Sequence, residues 1–129
     1  MSPNGSPRKV LNAALKGQFR VITSITINHE ILSVLHRKNI YTKYHLDEDI
    51  INGISSLLYE GAVITEEIIS VKCINADPDD DKFLSCAIEG EADFVVSGDE
   101  HLLSIKHYKG LQIVNSATFV KILVSQGLE

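Results

Sequence analysis

Two rhythms alternate along the chain: apolar residues three and four apart, which mark a helix packed on one side, and short unbroken apolar runs, which mark a buried strand. Val10, Leu11, Ala14 and Leu15 keep helical spacing behind Ser6-Pro7, where serine can cap and proline suits the first helical position, and Gly17 is placed to end the run. Phe19 to Ser24 is apolar and β-branched and reads as a buried strand. Ile27, Ile31, Val34 and Leu35 form the inner stripe of a helix over about Thr26 to Lys38. Ile50, Ile51, Ile54, Leu57 and Leu58 do the same for a helix from Asp47 to Tyr59, which Gly61 stops.

The second half repeats the alternation. Ala62 to Thr65 reads as a brief strand, and Ile68 to Ile74 is apolar enough for a strand or an extended connection. Phe83, Leu84, Ala87 and Ile88 face inward from a helix over Asp80 to Glu89, followed by Asp93 to Ser97 as a buried strand. Leu111 to Val114 is the last strand and Ser116 to Gln126 the last helix, packed through Phe119, Val120 and Leu123. Strands that alternate with helices predict a three-layer α/β/α fold with a mostly parallel sheet. With no repeat, low-complexity tract or linker, residues 1–129 are expected to form a single domain. In such sheets ligands bind at the carboxyl ends of the strands, so chemistry is to be sought there.

Composition narrows the function classes. With 129 residues, 44% hydrophobic and 22% charged, the chain can bury a core of its own. It contains no bilayer-spanning apolar stretch, and its polar opening, Met1 to Pro7, lacks the apolar centre of a secretory signal, so a cytoplasmic location is expected. Cys73 and Cys86 have no zinc spacing and read as reduced thiols packed as small apolar residues. The net charge of −5 conceals an asymmetry: residues 1–46 hold seven Lys or Arg and one acid, residues 47–129 five and sixteen. That split allows a basic face for a polyanion beside an acidic centre for a metal.

The densest chemistry is Asp77-Pro78-Asp79-Asp80-Asp81-Lys82-Phe83-Leu84, four carboxylates that give way at once to a helical pattern. A helix N-terminus relieves part of their repulsion and a divalent cation would relieve more. Glu30, in the helix after the strand ending at Ser24, Asp81, at a helix start, and Asp99, after Ser97-Gly98 at a strand end, fall on one sheet edge. Carboxylates gathered so suit Mg²⁺ or Mn²⁺. Singly, each has a plainer reading: Glu30 pairs with a nearby Lys or Arg, Asp81 complements a helix N-terminus, and Asp99 is a turn residue. A calcium-binding hand is excluded, because Lys82 stands where its loop needs glycine and Ile88 where it needs glutamate. The five histidines share no metal spacing and read mostly as surface residues; His101, two residues from Asp99, is noted, though it too reads better as a surface residue.

Three stretches, Ser24 through Leu35, Asp77 through Leu84 and Ala92-Asp93-Phe94-Val95-Val96-Ser97-Gly98-Asp99-Glu100-His101-Leu102-Leu103, resemble the PIN domain, and more narrowly the PIN toxin components of bacterial and archaeal toxin–antitoxin systems. The resemblance runs on through Ile113 to Phe119. It implies a 5′-nuclease-like fold and a metal-dependent endoribonuclease, with Mg²⁺ or Mn²⁺ activating water to cut an RNA phosphodiester. On the matching positions Glu30, Asp81 and Asp99 would be the catalytic and metal-holding acids, with Ser24, Ser97 and Asp79 lining the site and Asp93 ordering a turn. The implied partners are RNA and a cognate antitoxin protein, with a homodimer also open.

The sequence departs from the family in one respect. Members begin with a buried strand that ends in a metal-binding aspartate, whereas Met1 to Arg8 resembles the loop and helix that follow it, so the domain is expected to be N-terminally truncated. The absent strand is central in the family sheet. Either the sheet closes over the gap or another segment fills it. The expected activity is therefore RNA cleavage. The alternatives are a catalytically impaired remnant that binds RNA or protein and, further off, a metal-binding structural domain.

Overall fold

The computed structural model describes residues 5–72 and 80–127. Helix α1 (Ser6–Leu15) has Gly5, not Ser6, at its cap, with Pro7 in its first turn. It ends as the sequence predicts: Gly17 takes φ +73°, and Gly17 N–H and Gln18 N–H return to the carbonyls of Ala14 and Ala13 at 3.0 Å each. Strand β1 (Ile22–Ser24) is shorter than the apolar run suggested. Ser24 then caps α2 (Ile25–Leu35), its Oγ accepting from Ile27 N–H at 3.2 Å.

Where one helix was expected to reach Lys38, α2 stops at Leu35 and a separate α3 (Lys38–Lys43) follows. Helix α3 buries no residue, which is why it left no apolar stripe to read. Asp47 caps α4 (Glu48–Ser56) through Ile50 N–H at 2.8 Å, and the chain then widens into a π-turn (Leu57–Gly61) before β2 (Val63–Thr65). Residues 66–72 form no strand; the remainder of the Ile68 to Ile74 run lies outside the described residues.

Helix α5 (Asp81–Glu89) leads into β3 (Phe94–Val96). A short α6 (Glu100–Leu103) and a hairpin of β4 (His107–Tyr108) and β5 (Leu111–Val114) follow, then α7 (Ser116–Ser125), capped by Asn115 through Thr118 N–H at 2.8 Å. The two hairpin-loop residues, Lys109 and Gly110, take φ of +50° and +84°, the left-handed pair that matches strand twist. Helix α6 and strand β4 were not expected from the sequence, being only four and two residues long.

The chain is the expected mixed α/β fold, and its described strands lie in two sheets. Strands β1 and β2 pair in parallel (Ile22 with Val63, Ser24 with Thr65), and β3 and β5 pair in parallel (Phe94 with Gln112, Val96 with Val114), with β4 antiparallel on the far side of β5. No pairing joins the two sheets among the described residues. The gap between them stays open as a cleft of about 940 Å³, reached by β1 on one side and β3 on the other.

Two apolar clusters hold the layers. Leu84 and Ala87 of α5 pack with Leu102, Leu111 and Ile113, while Ala13 of α1 packs with Phe119 and Leu123 of α7. Phe119 meets Phe19 and Phe94 edge-on, with centroids 5.1 and 5.5 Å apart. Helix α5 is fitted to β1 at its C-terminal end, where a Cβ on Gly90 would collide with the Ile22 side chain. Gly90→Ala is therefore expected to destabilise the fold by about 1–3 kcal/mol. Gly53, inside α4 with open space around it, gives the opposite sign: Gly53→Ala should stabilise by about 0.5–1 kcal/mol. Urea unfolding of both variants beside the parent checks the pair.

Candidate functional site

The direction of α5 defines the site. Thr65, at the end of β2, donates through Oγ1 to Cys86 Sγ at 3.7 Å, and Gly90, one turn later, meets Ile22 at the start of β1. The helix thus runs against the strands, and its first residues, Asp81 and Lys82, project past their carboxyl ends. A tight turn, with Ala92 N–H on Ala87 O at 2.9 Å, reverses the chain into β3. Strand β3 then returns in the direction of β1, carrying Ser97 and Asp99 back toward the same edge.

Each predicted residue can be located, Asp79 excepted, which lies outside the described residues. Glu30 stands in α2, and its Oε1 accepts from Lys82 Nζ at 2.7 Å, both side chains being about one-third to two-fifths exposed (41% and 35%). The structure therefore joins Glu30 to the start of α5. It does so through a cation the sequence reading had not singled out, although pairing of Glu30 with a nearby Lys was its plainer interpretation. At this exposure the pair is worth about 0–1 kcal/mol, a positional tie more than a source of stability. Asp81 occupies the first turn of α5. Asp80, 7% exposed, stands at the cap position, and its side chain makes no capping hydrogen bond there.

Asp99 caps α6, accepting from His101 N–H at 2.8 Å, while its own N–H donates to Ser97 Oγ at 3.0 Å. Ser24, 3% exposed, is occupied at the start of α2. The carboxylate and hydroxyl oxygens at this edge are the right donors for a hard cation. Glu30 is engaged by Lys82 and Asp99 by α6, and no group of three or more metal-ligating side chains is gathered among the described residues.

Two neighbours were missed. Asn28, fully buried beneath the edge, accepts from Thr23 Oγ1 at 2.7 Å and donates to Leu58 O at 3.2 Å, tying β1, α2 and the π-turn together. Its only sequence signal was a polar residue next to the α2 stripe. Glu67, at φ +61°, lies over the start of α2 and accepts from Thr26 N–H at 2.9 Å. That backbone bond, with the hydroxyls of Thr26 and Ser24, holds its carboxyl below the usual value of 4.5.

Glu67 therefore stabilises the fold fully above pH 4.5 and progressively less as the pH falls through its lowered value. Glu67→Gln should flatten the acid limb of a melting-temperature profile below that point and leave neutral pH little changed in slope. Cys86 provides a second check. Burial pushes its thiol up, against a smaller opposing effect of the Thr65 hydroxyl, so it is protonated at neutral pH. Cys86 should resist iodoacetamide in the native protein at pH 7.5 and react once urea unfolds it, as peptide mass mapping would show.

No helix among the described residues is long and apolar enough to cross a membrane. Neither a curated protein nor a solved structure gives a significant match to the chain. A family model does: that of the PIN domain aligns with residues 1–101, which include β1, α2 with Glu30, α5 with Asp81, and β3 with Ser97 and Asp99. PIN domains are generally nucleases and typically use divalent metals. A match over that much of the 129 residues, on a mixed α/β fold with parallel strand pairs, shows that the chain belongs to the PIN domain family.

Proposed function

We propose that the chain is a metal-dependent endoribonuclease, the toxin component of a toxin–antitoxin pair, acting on RNA at the carboxyl edge of its strands. The observation that carries this reading is the family match, which spans Glu30, Asp81 and Asp99. Mg²⁺ or Mn²⁺, when bound, supplies an activated water and neutralises phosphate charge. Asp81 and Asp99 would hold the cation, joined by Glu30 once Lys82 is displaced, while Ser24 and Ser97 line the approach of the substrate. Arg37, Lys38 and Lys43, around and within α3, offer phosphate-binding charge on the basic third of the chain. The antitoxin remains part of the proposal through the family resemblance alone.

A second reading has its own observation. The Glu30–Lys82 pair compensates one acid of the edge internally, and three ligands are not assembled among the described residues. A PIN domain in that condition binds RNA or a protein partner without cutting. The two readings separate in one set of measurements. If the nuclease reading holds, the chain cleaves RNA with Mn²⁺, and Asp81→Asn slows cleavage by roughly 100-fold or more, since even outer-shell partners of a metal are worth 10–100-fold. Binding without cleavage in the parent chain supports the second reading. Lys82→Met, which removes the competing ammonium, should tighten Mn²⁺ binding as followed by electron paramagnetic resonance; unchanged affinity would take Glu30 out of the ligand set.

A further inference from the structure

The fold sorts the charge of the chain by layer. Side chains alternate across the β3–β5 pair: Val95, Leu111 and Ile113 pack with Leu84 and Ala87 of α5, whereas Phe94, Val96 and Val114 pack with Ala13 of α1 and with Phe119 and Leu123 of α7. Helix α5 and the turn after it carry Asp81, Glu89 and Glu91 against Lys82. The opposite layer carries cations alone. Residues 5–29 and 101–127 contain no Asp or Glu, and the packing of α1 on α7 brings these two distant segments together.

Three exposed lysines mark the outer surface of that layer. Lys9 and Lys16 stand four residues before and three after Ala13, the α1 residue that meets α7, so both flank the seam between the helices. They lie about 10 Å apart along α1, a separation comparable to the Debye length of about 10 Å at 0.1 M salt, so their fields overlap. Lys121 is two residues from Phe119 and two from Leu123, which turns it away from the buried stripe of α7 and into solvent. None of the three joins an ion pair among the described residues. Arg20 belongs elsewhere, since it lines the cleft with Glu91 and Asp93.

We propose that the α1–α7 face binds the phosphate backbone of RNA, without regard to base sequence, in addition to the charges around α3. A chain of net charge −5 repels a polyanion as a whole, so binding has to come from a surface of the opposite sign, and this layer supplies one free of carboxylates. It is also continuous with the acidic edge. Ser97 N–H donates to Val114 O at 3.0 Å, so α7 begins beside Ser97, and Lys121 follows about 9 Å along the helix from its Asn115 cap. A strand with one phosphate at the acidic edge can run on over α7 to the seam with α1. Leu15 and Val124 are the only large apolar side chains these two helices expose, too little surface for insertion into a bilayer. The inference takes RNA as the ligand from the proposed function and does not require that the edge cut it.

Fluorescence anisotropy of a labelled oligouridylate, with the full chain in EDTA, tests the proposal. Each phosphate neutralised on a single strand contributes about −0.7 to the slope of log affinity against log salt. The triple variant Lys9→Gln, Lys16→Gln, Lys121→Gln should therefore flatten the slope by about 2 and weaken binding by about 10–100-fold at low salt, to the same degree for oligoadenylate. Val124→Lys, which adds a cation one turn from Lys121 at a 54% exposed position, should steepen the slope by about 0.7. Lys72→Gln, at an exposed lysine beyond β2, should change neither slope nor affinity. Cleavage with Mn²⁺, measured beside binding, keeps the two readings apart. If the parent cuts RNA but the triple variant binds as tightly as the parent, this face is wrong and the nuclease reading stands. Binding that depends on the three lysines without any cleavage supports this face and removes the nuclease reading. No binding by the parent, an equal loss in Lys72→Gln, or tighter binding to phosphatidylserine vesicles than to RNA would also overturn the proposal.

Discussion

One helix has to serve two sheets. Because no strand pairing among the described residues joins β1–β2 to β3–β5–β4, the packing of α5 against both is the principal tie between them near the acidic edge. It meets this constraint with different residues at different heights: Leu84 and Ala87 enter the cluster under β5, Cys86 meets Thr65, and Gly90 lies against Ile22. Glu89 extends the tie to the stretch after β2, where its two carboxylate oxygens accept from the backbone N–H groups of Glu66, Ile68 and Ile69 at 2.9 Å each. A segment without a sheet partner thus has its donors satisfied by one side chain.

The acidic edge inherits its geometry from that helix. Asp81 and Lys82 are where they are because α5 runs against the strands, and Glu30 follows because Lys82 reaches it. The edge therefore contains its own counter-charge. The Lys82 ammonium neutralises the Glu30 carboxylate from within the chain. Asp99 is set differently, by its capping role and by Ser97, both within β3 and α6. Glu30 and Asp99 are thus anchored independently, one through α5 and the other through the turn before α6.

Much of this was legible in the sequence, and the parts that were not share physical reasons. The start of α1 was read at Ser6-Pro7, one residue past its Gly5 cap, whereas the capping roles of Asp47, Ser24 and Asn115 were not singled out, because each depends on a side chain meeting one particular helix donor. The Gly17 stop was plain. Helix α3 buries nothing, and α6 and β4 are too short for periodicity to show. The division of the sheet is a matter of pairing across distant segments, which a one-dimensional pattern does not encode. Glu30, Asp81 and Asp99 stood out as acids, whereas Lys82 was hidden inside the run that drew attention to them, and Asn28 looked like an ordinary polar neighbour of an apolar stripe.

The packing of α1 on α7 has a consequence for the order of assembly. Ala13 meets Phe119 and Leu123 across more than a hundred intervening residues, and Phe19 adds its ring to the same cluster. During synthesis α1 cannot complete this cluster until α7 has left the ribosome. Its apolar face, Val10 and Ala13, waits for α7, while the local β3–β5 unit can condense as soon as its own residues are available. Within this domain the contact of α1 with α7 is therefore among the last to become available, and until then the Val10 and Ala13 face is open to wrong contacts.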